Sequence, residues 1–116
     1  MHLVRRVLPY EYFKYRRHLK SLDQENRFLR FGFAANDYAI DHLCDEFEKN
    51  PKDHVLFCVE DSNLEFIGVG HIALQDGMEL AFSVLKSHQK QGIGDALIKR
   101  VVQYCRTRGL LEGKMV

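Results

Sequence analysis

"MELAFSVLKSHQKQGIGDALIKRVVQYCRTRG", Met78 to Gly109, changes its period partway through. The opening "MELAFSVL" alternates as a half-buried strand does, whereas from Gly92 to Arg108 the apolar residues Ile93, Leu97, Val101 and Tyr104 recur at intervals of three and four, the spacing of one helix face. Gly109 stands where a helix takes its terminating glycine, and Arg106 and Arg108 fall in the last turn, where cations complement the helix dipole. Between strand and helix lies Gln89-Lys90-Gln91-Gly92-Ile93-Gly94. Glycine permits positive φ and close approach, and the first amides of a helix have no partner inside it, so amides from Gln91 to Asp95 can form a cradle for a phosphate or pyrophosphate. A plain helix-entry turn uses the same glycines. The stretch is neither a dinucleotide-binding fingerprint, which needs a third glycine, nor a P-loop, since no Gly-Lys-Ser/Thr follows.

Upstream, "HVLFCVE" from His54 and "LEFIGVGHIAL" from Leu64 are rich in valine, isoleucine and phenylalanine, with "DSN" as the turn between them and "QDG" as the turn into Met78. They predict a three-strand antiparallel meander. "NDYAIDHLCDEFEKNP" predicts a helix stopped by Asn50 and Pro51, with Tyr38, Leu43 and Phe47 on its buried side. Ser21 and Gln24 have capping-box spacing and predict a helix from about Leu22. In "YEYFKYRRHLK", Tyr12, Tyr15 and Leu19 share one helical face, which explains the aromatics as a buried stripe rather than as a nucleic-acid platform. "HLVRRVL" before Pro9 is a short strand. The order is strand, two or three helices, three antiparallel strands, helix and a short final "LLEGKMV", all in a single domain over residues 1–116.

Composition narrows the class. A net charge of +1 gives no field for nucleic acid, and no apolar run approaches the ~20 residues of a membrane helix. "MHLVRRVLPY" interrupts any secretory core with two arginines, so the expected location is cytoplasmic. Cys44, Cys58 and Cys105 are odd in number and far apart, which fits reduced core thiols, and no histidine or cysteine spacing predicts a metal. Charge is uneven: Arg5, Arg6, Lys14, Arg16, Arg17 and Lys20 crowd the first helix region, and Asp37, Asp41, Asp45, Glu46 and Glu48 the later one, as two solvated faces that attract each other.

With the glycine loop set behind the third meander strand, Met78 to Gly109 resembles the central motif of the GNAT superfamily of acyl-CoA-dependent N-acetyltransferases, and the element order resembles that family from about residue 3 to 112. "SLDQENRFLRF" is similar to the corresponding region of bacterial members that resemble protein-lysine acetyltransferases. The resemblance implies an α/β (α+β) fold, a mixed and mostly antiparallel sheet flanked by helices in the order β-α-α-β-β-β-α-β, with the last strand and following elements truncated. It implies acetyl-CoA (or CoA) as cosubstrate, with Gln89, Lys90, Gln91, Gly92, Ile93, Gly94 and Asp95 as the pyrophosphate loop and Phe82, Ser83 and Val84 pairing with the pantetheine arm. Lys90, Lys99 and Arg100 are candidates for the outer phosphates, Glu79 is the candidate general base, and His71 is a candidate for the acceptor groove. No residue matches the family's general-acid tyrosine, since Tyr104 lies on the helix behind the loop, and the usual C-terminal helix and hairpin are missing.

Two functions follow: acetyl transfer to a primary amine, or a non-catalytic CoA-binding or protein-interaction module on the same fold. A homodimer is expected, because an unpaired third meander strand leaves an edge that a second copy can cover.

Overall fold

The computed structural model describes residues 2–110. It contains β1 (Arg5–Arg6), α1 (Tyr12–Lys20), α2 (Gln24–Phe31), α3 (Asp37–Lys49), β2 (His54–Glu60), β3 (Phe66–Ala73), β4 (Glu79–Val84) and α4 (Ile93–Thr107). Three helices thus precede the meander. The strands form one antiparallel sheet in the order β1-β2-β3-β4, with Leu56 opposite His71 and Gly70 opposite Phe82. The final segment "LLEGKMV" lies, apart from Leu110, outside the described residues.

β2 is buried on both faces, which is why its sequence reads as the unbroken run Val55 to Val59. Leu56 and Cys58 join a core with Tyr15, Leu19, Ile40 and Phe47 on the side of α1 and α3. Val55, Phe57 and Val59 join Ile93, Leu97, Val101 and Cys105 of α4 on the other side. α4 lies hard against the sheet because β3 has a glycine beneath it: a Cβ at Gly68 would sit 2.6 Å from Ile93 Cγ2. That contact fixes the start of α4, and with it the glycine loop. Tyr104 is only half-buried, edge-on to Phe57 at the rim of this core, while Cys105 completes the buried stripe. All three cysteines are buried free thiols.

The two charged faces meet. Arg16 bonds Asp41, Asp45 and Glu48, and Lys20 bonds Asp41, tying α1 to α3. These part-exposed pairs are individually weak and mainly set which side of α3 faces α1. The consequence corrects the expected buried stripe of α3. Phe47 is buried, but its companions are Ile40 and Cys44, whereas Tyr38 is 79% and Leu43 38% exposed. Leu43 and Phe47 are four apart and Ile40, Cys44 and Phe47 recur at four and three, so helical spacing allows Phe47 in either stripe, and the ion pairs to Arg16 select the one that puts Phe47 against Tyr12 and Tyr15.

α2 is also capped differently from expectation. Asp23, not Ser21, is the N-cap, accepting from the Asn26 N–H at 2.9 Å, and the Ser21 hydroxyl donates back to Arg17 O at the end of α1. A carboxylate at the N-cap adds a favourable charge–dipole interaction, and Leu22, buried between the helices, cannot open an exposed turn.

Candidate functional site

After β4 the chain makes one 3-10 turn, Lys86–His88, and then reverses with two left-handed residues, Lys90 (φ 63) and Gly92 (φ 83). Gly92 is the N-cap of α4, and its carbonyl accepts the first intrahelical bond, from Ala96 N–H at 3.1 Å. The amides of Ile93, Gly94 and Asp95 precede that bond, so the helix offers them no partner. Gln89 anchors the loop: its side-chain amide donates to Val84 O at 3.0 Å and to Asn26 Oδ1 at 2.9 Å, joining β4 to α2. His2 donates from Nε2 to Gln91 O at 2.6 Å, so the chain's beginning crosses the loop as well.

Gly94 differs from Gly92 in what it is for. Its φ is not positive, and a Cβ there would meet no protein atom within 4 Å. Glycine at that helical position costs about 1 kcal/mol relative to alanine and returns nothing to the fold. The empty space belongs to a cleft of about 380 Å³ walled by Phe82, Ser83, Val84, the loop, and Asn26 and Leu29 of α2. An anion reaching the amides of the first turn of α4 passes through that space.

β4 forms the floor. Leu85 N–H bonds Ile67 O, and by antiparallel alternation Ser83 and Ala81 also direct their backbone groups at β3. Phe82 and Val84 therefore direct theirs at the free edge, which no strand among the described residues covers. The Ser83 hydroxyl is committed elsewhere. His18 Nδ1 donates to Phe66 O at 2.8 Å, so its Nε2 is the acceptor for Ser83 Oγ–H at 2.8 Å.

Glu79 and Ala81, on the other half of β4, line a second pocket of about 190 Å³ with Arg30, Glu46, His54 and His71. Its wall is a directed chain of hydrogen bonds. Arg30 Nη2 donates to Tyr15 Oη at 2.9 Å, the phenol donates to His71 Nδ1 at 3.2 Å, and His71 then carries its proton on Nε2 and donates to His54 Nδ1 at 2.9 Å. His54 ends the chain with Nε2, which is buried and unpartnered among the described residues.

Burial holds both inner histidines neutral. His18 is pushed down to about 4, and His71 to about 3 with help from the nearby Arg30 charge. Because both folded values lie below the unfolded value near 6.5, the unfolded chain binds more protons as pH falls, and stability present above pH 6.5 is lost below it. Between pH 7.5 and 5 the protein is expected to lose roughly 2–4 kcal/mol. Glu11, held down to about 2 by hydrogen bonds from Arg5, adds its loss only below pH 4.5 and leaves this window clear. Urea unfolding followed by circular dichroism at the two pH values measures the difference, and equal midpoints would contradict it.

The sequence-predicted residues fall into three places. The cleft gathers Phe82, Ser83, Val84, Gln89, Lys90, Gly92, Ile93, Gly94 and Asp95, and the Gln91 backbone runs along its rim. The second pocket takes Glu79 and His71. Lys99 and Arg100 line neither: Lys99 faces a groove on the outer side of α4, and the Arg100 guanidinium lies 4.5 Å from the centre of the Phe57 ring. Asn26, Leu29, Arg30, Glu46 and His54 were not foreseen, since only the packing of α2 and α3 over β4 brings them in. Among the described residues no group of three or more His, Cys, Asp or Glu side chains is placed to hold a metal ion, and no helix is long and apolar enough to cross a membrane.

A family model described as the acetyltransferase (GNAT) family matches residues 16–114. Among solved structures, the GNAT domain of S. lividans PAT superposes with a TM-score of 0.73 at 22% identity, covering 91% of this chain and 66% of that one. A GNAT family acetyltransferase from Brucella melitensis in complex with acetyl-CoA gives 0.70 at 17% identity, covering 94% and 71%. The PaiA N-acetyltransferase from Thermoplasma acidophilum in complex with coenzyme A gives 0.62 at 11%, covering 95% and 75%. The chain therefore spans about two thirds to three quarters of the length of these structures. No curated protein matches it in sequence.

Proposed function

The chain belongs to the GNAT acetyltransferase family, and from that premise we propose that it binds acetyl-CoA in the cleft at the loop end of β4 and transfers the acetyl group to a primary amine held in the pocket at the other end. One observation carries this reading. The two cavities are lined by one strand and one helix, residues 82–84 with Asn26 and Leu29 lining the first and Glu79 and Ala81 with Arg30 the second.

The loop residues fit such a cosubstrate. The amides of Ile93, Gly94 and Asp95 hold the diphosphate, with Gly94 leaving room for it, and the outward backbone groups of Phe82 and Val84 pair with the amides of the pantetheine arm. Bound there, acetyl-CoA supplies a thioester whose carbonyl carbon lies open to attack. Glu79 takes a proton from the ammonium of the acceptor, directly or through water, because only the neutral amine has the lone pair that attacks. As the C–N bond forms and the C–S bond breaks, the remaining excess proton on nitrogen passes to water and the leaving thiolate takes a proton from water, so that the products are the amide and the free thiol.

Thiol release from acetyl-CoA with a panel of primary amines tests this. Burial pushes the Cys44 and Cys58 thiols up to about 12, so the protein adds little to such an assay. The expected result is turnover with at least one amine, and a kcat about 10²-fold or more lower in Glu79→Gln with acetyl-CoA affinity unchanged. Bound acetyl-CoA without thiol release for any amine would instead establish the non-catalytic CoA-binding reading.

A further inference from the structure

At the β1 edge of the sheet, opposite β4, three arginines from different parts of the chain border one groove of about 420 Å³: Arg6 of β1, Arg100 in the middle of α4 and Arg108 just past its end, with Gln103, Tyr104 and Thr107 between them. Ring faces hold the guanidiniums. Arg6 and Arg108 lie 5.4 Å and 5.1 Å from the centre of the Tyr104 ring, and Arg6 and Arg100 lie 6.0 Å and 4.5 Å from that of Phe57, the two rings being 5.6 Å apart. Stacking of this kind fixes the plane of a guanidinium and leaves its N–H fork at the rim for another partner.

That partner is not a carboxylate of the described residues. Arg5, Arg16, Arg17 and Arg27 each have a carboxylate oxygen at 2.7–2.9 Å, whereas none lies within 4.0 Å of Arg6, Arg100 or Arg108 among the described residues. Three like charges are thus gathered around two rings with no carboxylate of the described residues within 4.0 Å to offset their repulsion. The last-turn carbonyls of α4 carry about half a negative charge, too little to do so.

We infer that this groove is a second anion site, separate from the acetyl-CoA cleft, for a ligand carrying two or more adjacent phosphoryl groups. Three forks match the several oxygens of a diphosphate better than one carboxylate, and the groove is larger than a single phosphate requires. The Gln103 amide and the Tyr104 hydroxyl add neutral donors at its border.

Calorimetric titration at low ionic strength with inorganic pyrophosphate and, separately, with ADP tests the assignment in the Gly94→Glu protein, whose cofactor cleft is blocked. Pyrophosphate is expected to bind this variant, Arg100→Gln added to it to weaken binding about tenfold, and Arg6→Gln and Arg108→Gln added as well to remove it. Equal affinity for ADP and pyrophosphate would show that the phosphoryl groups alone are read, and tighter ADP that the groove also holds the nucleoside. Arg100→Lys keeps the charge and loses the fork, so it should bind more weakly than the parent yet keep its salt dependence. The three arginine changes in the otherwise unaltered protein should leave acetyl-CoA affinity as it was, which separates failure here from failure of the acetyl-CoA reading. The inference is overturned if neither compound binds the Gly94→Glu protein, if binding is indifferent to the arginine changes, or if single-stranded RNA binds and neither phosphate compound does.

Discussion

Gly94→Glu is expected to weaken acetyl-CoA binding by at least 100-fold while leaving the protein as stable as before, or slightly more so. The two effects separate because the position is crowded only when ligand is bound. No protein atom lies within 4 Å of a Cβ built there, and the backbone is helical. Glutamate is the better helix former and is favoured by the dipole in a first turn, contributing up to about 1 kcal/mol. The same carboxylate stands where the diphosphate must approach the amides, and like-charge juxtaposition in a binding site costs several kcal/mol. Gly94→Ala should fall between the two, since a methyl group narrows the cleft without repelling. Calorimetry for affinity and urea unfolding for stability give the two readouts. An affinity within threefold of the parent would remove the cradle from the account.

The second large effect is on folding. Arg27 is a buried cation that closes the connections on either side of α2: it donates to Leu22 O at 3.0 Å, Ala35 O at 3.0 Å and Lys20 O at 2.7 Å, and pairs with Asp37 at 2.9 Å. Arg27→Met fills similar volume and removes every donor, leaving buried carbonyls at both ends of the helix unmatched. Breaking such a buried arrangement costs about 3–5 kcal/mol, a large part of the ~5–15 kcal/mol typical of a domain. Arg27→Lys restores the charge but not the fork and should recover only part of the loss. Because α2 supplies Asn26 and Leu29 to the cleft, the methionine variant should also bind acetyl-CoA more weakly at temperatures where it is still folded. A change in unfolding free energy below 1 kcal/mol would show that water replaces the guanidinium.

What sequence could and could not disclose divides along physical lines. The meander and α4 are legible because each buries a face whose period is written in consecutive residues, and the loop is legible because Gly92 and Gly94 sit between them. The face of α3 is not, since two apolar stripes compete there and Arg16, some thirty residues away in sequence, decides between them. Arg27 gives no local signal, because its partners are backbone carbonyls that any sequence possesses. The surroundings of Arg100 are hidden for a related reason: helical spacing tells which face a residue occupies but not that Phe57 lies under it. In the second pocket, His71 alternates visibly on its strand, yet His54 joins it only through the register that sets Leu56 opposite His71 and leaves His54 diagonal to it on the same face.

The central claim is that the loop end of β4 and the first turn of α4 together bind acetyl-CoA, and amide resonances report it most directly. In a titration of ¹⁵N-labelled protein with acetyl-CoA, the amides of Phe82, Val84, Ile93, Gly94 and Asp95 are expected to move together and saturate at one ligand per chain. Unmoved Ile93, Gly94 and Asp95 amides at saturating acetyl-CoA, or shifts confined to residues outside the cleft, would contradict it.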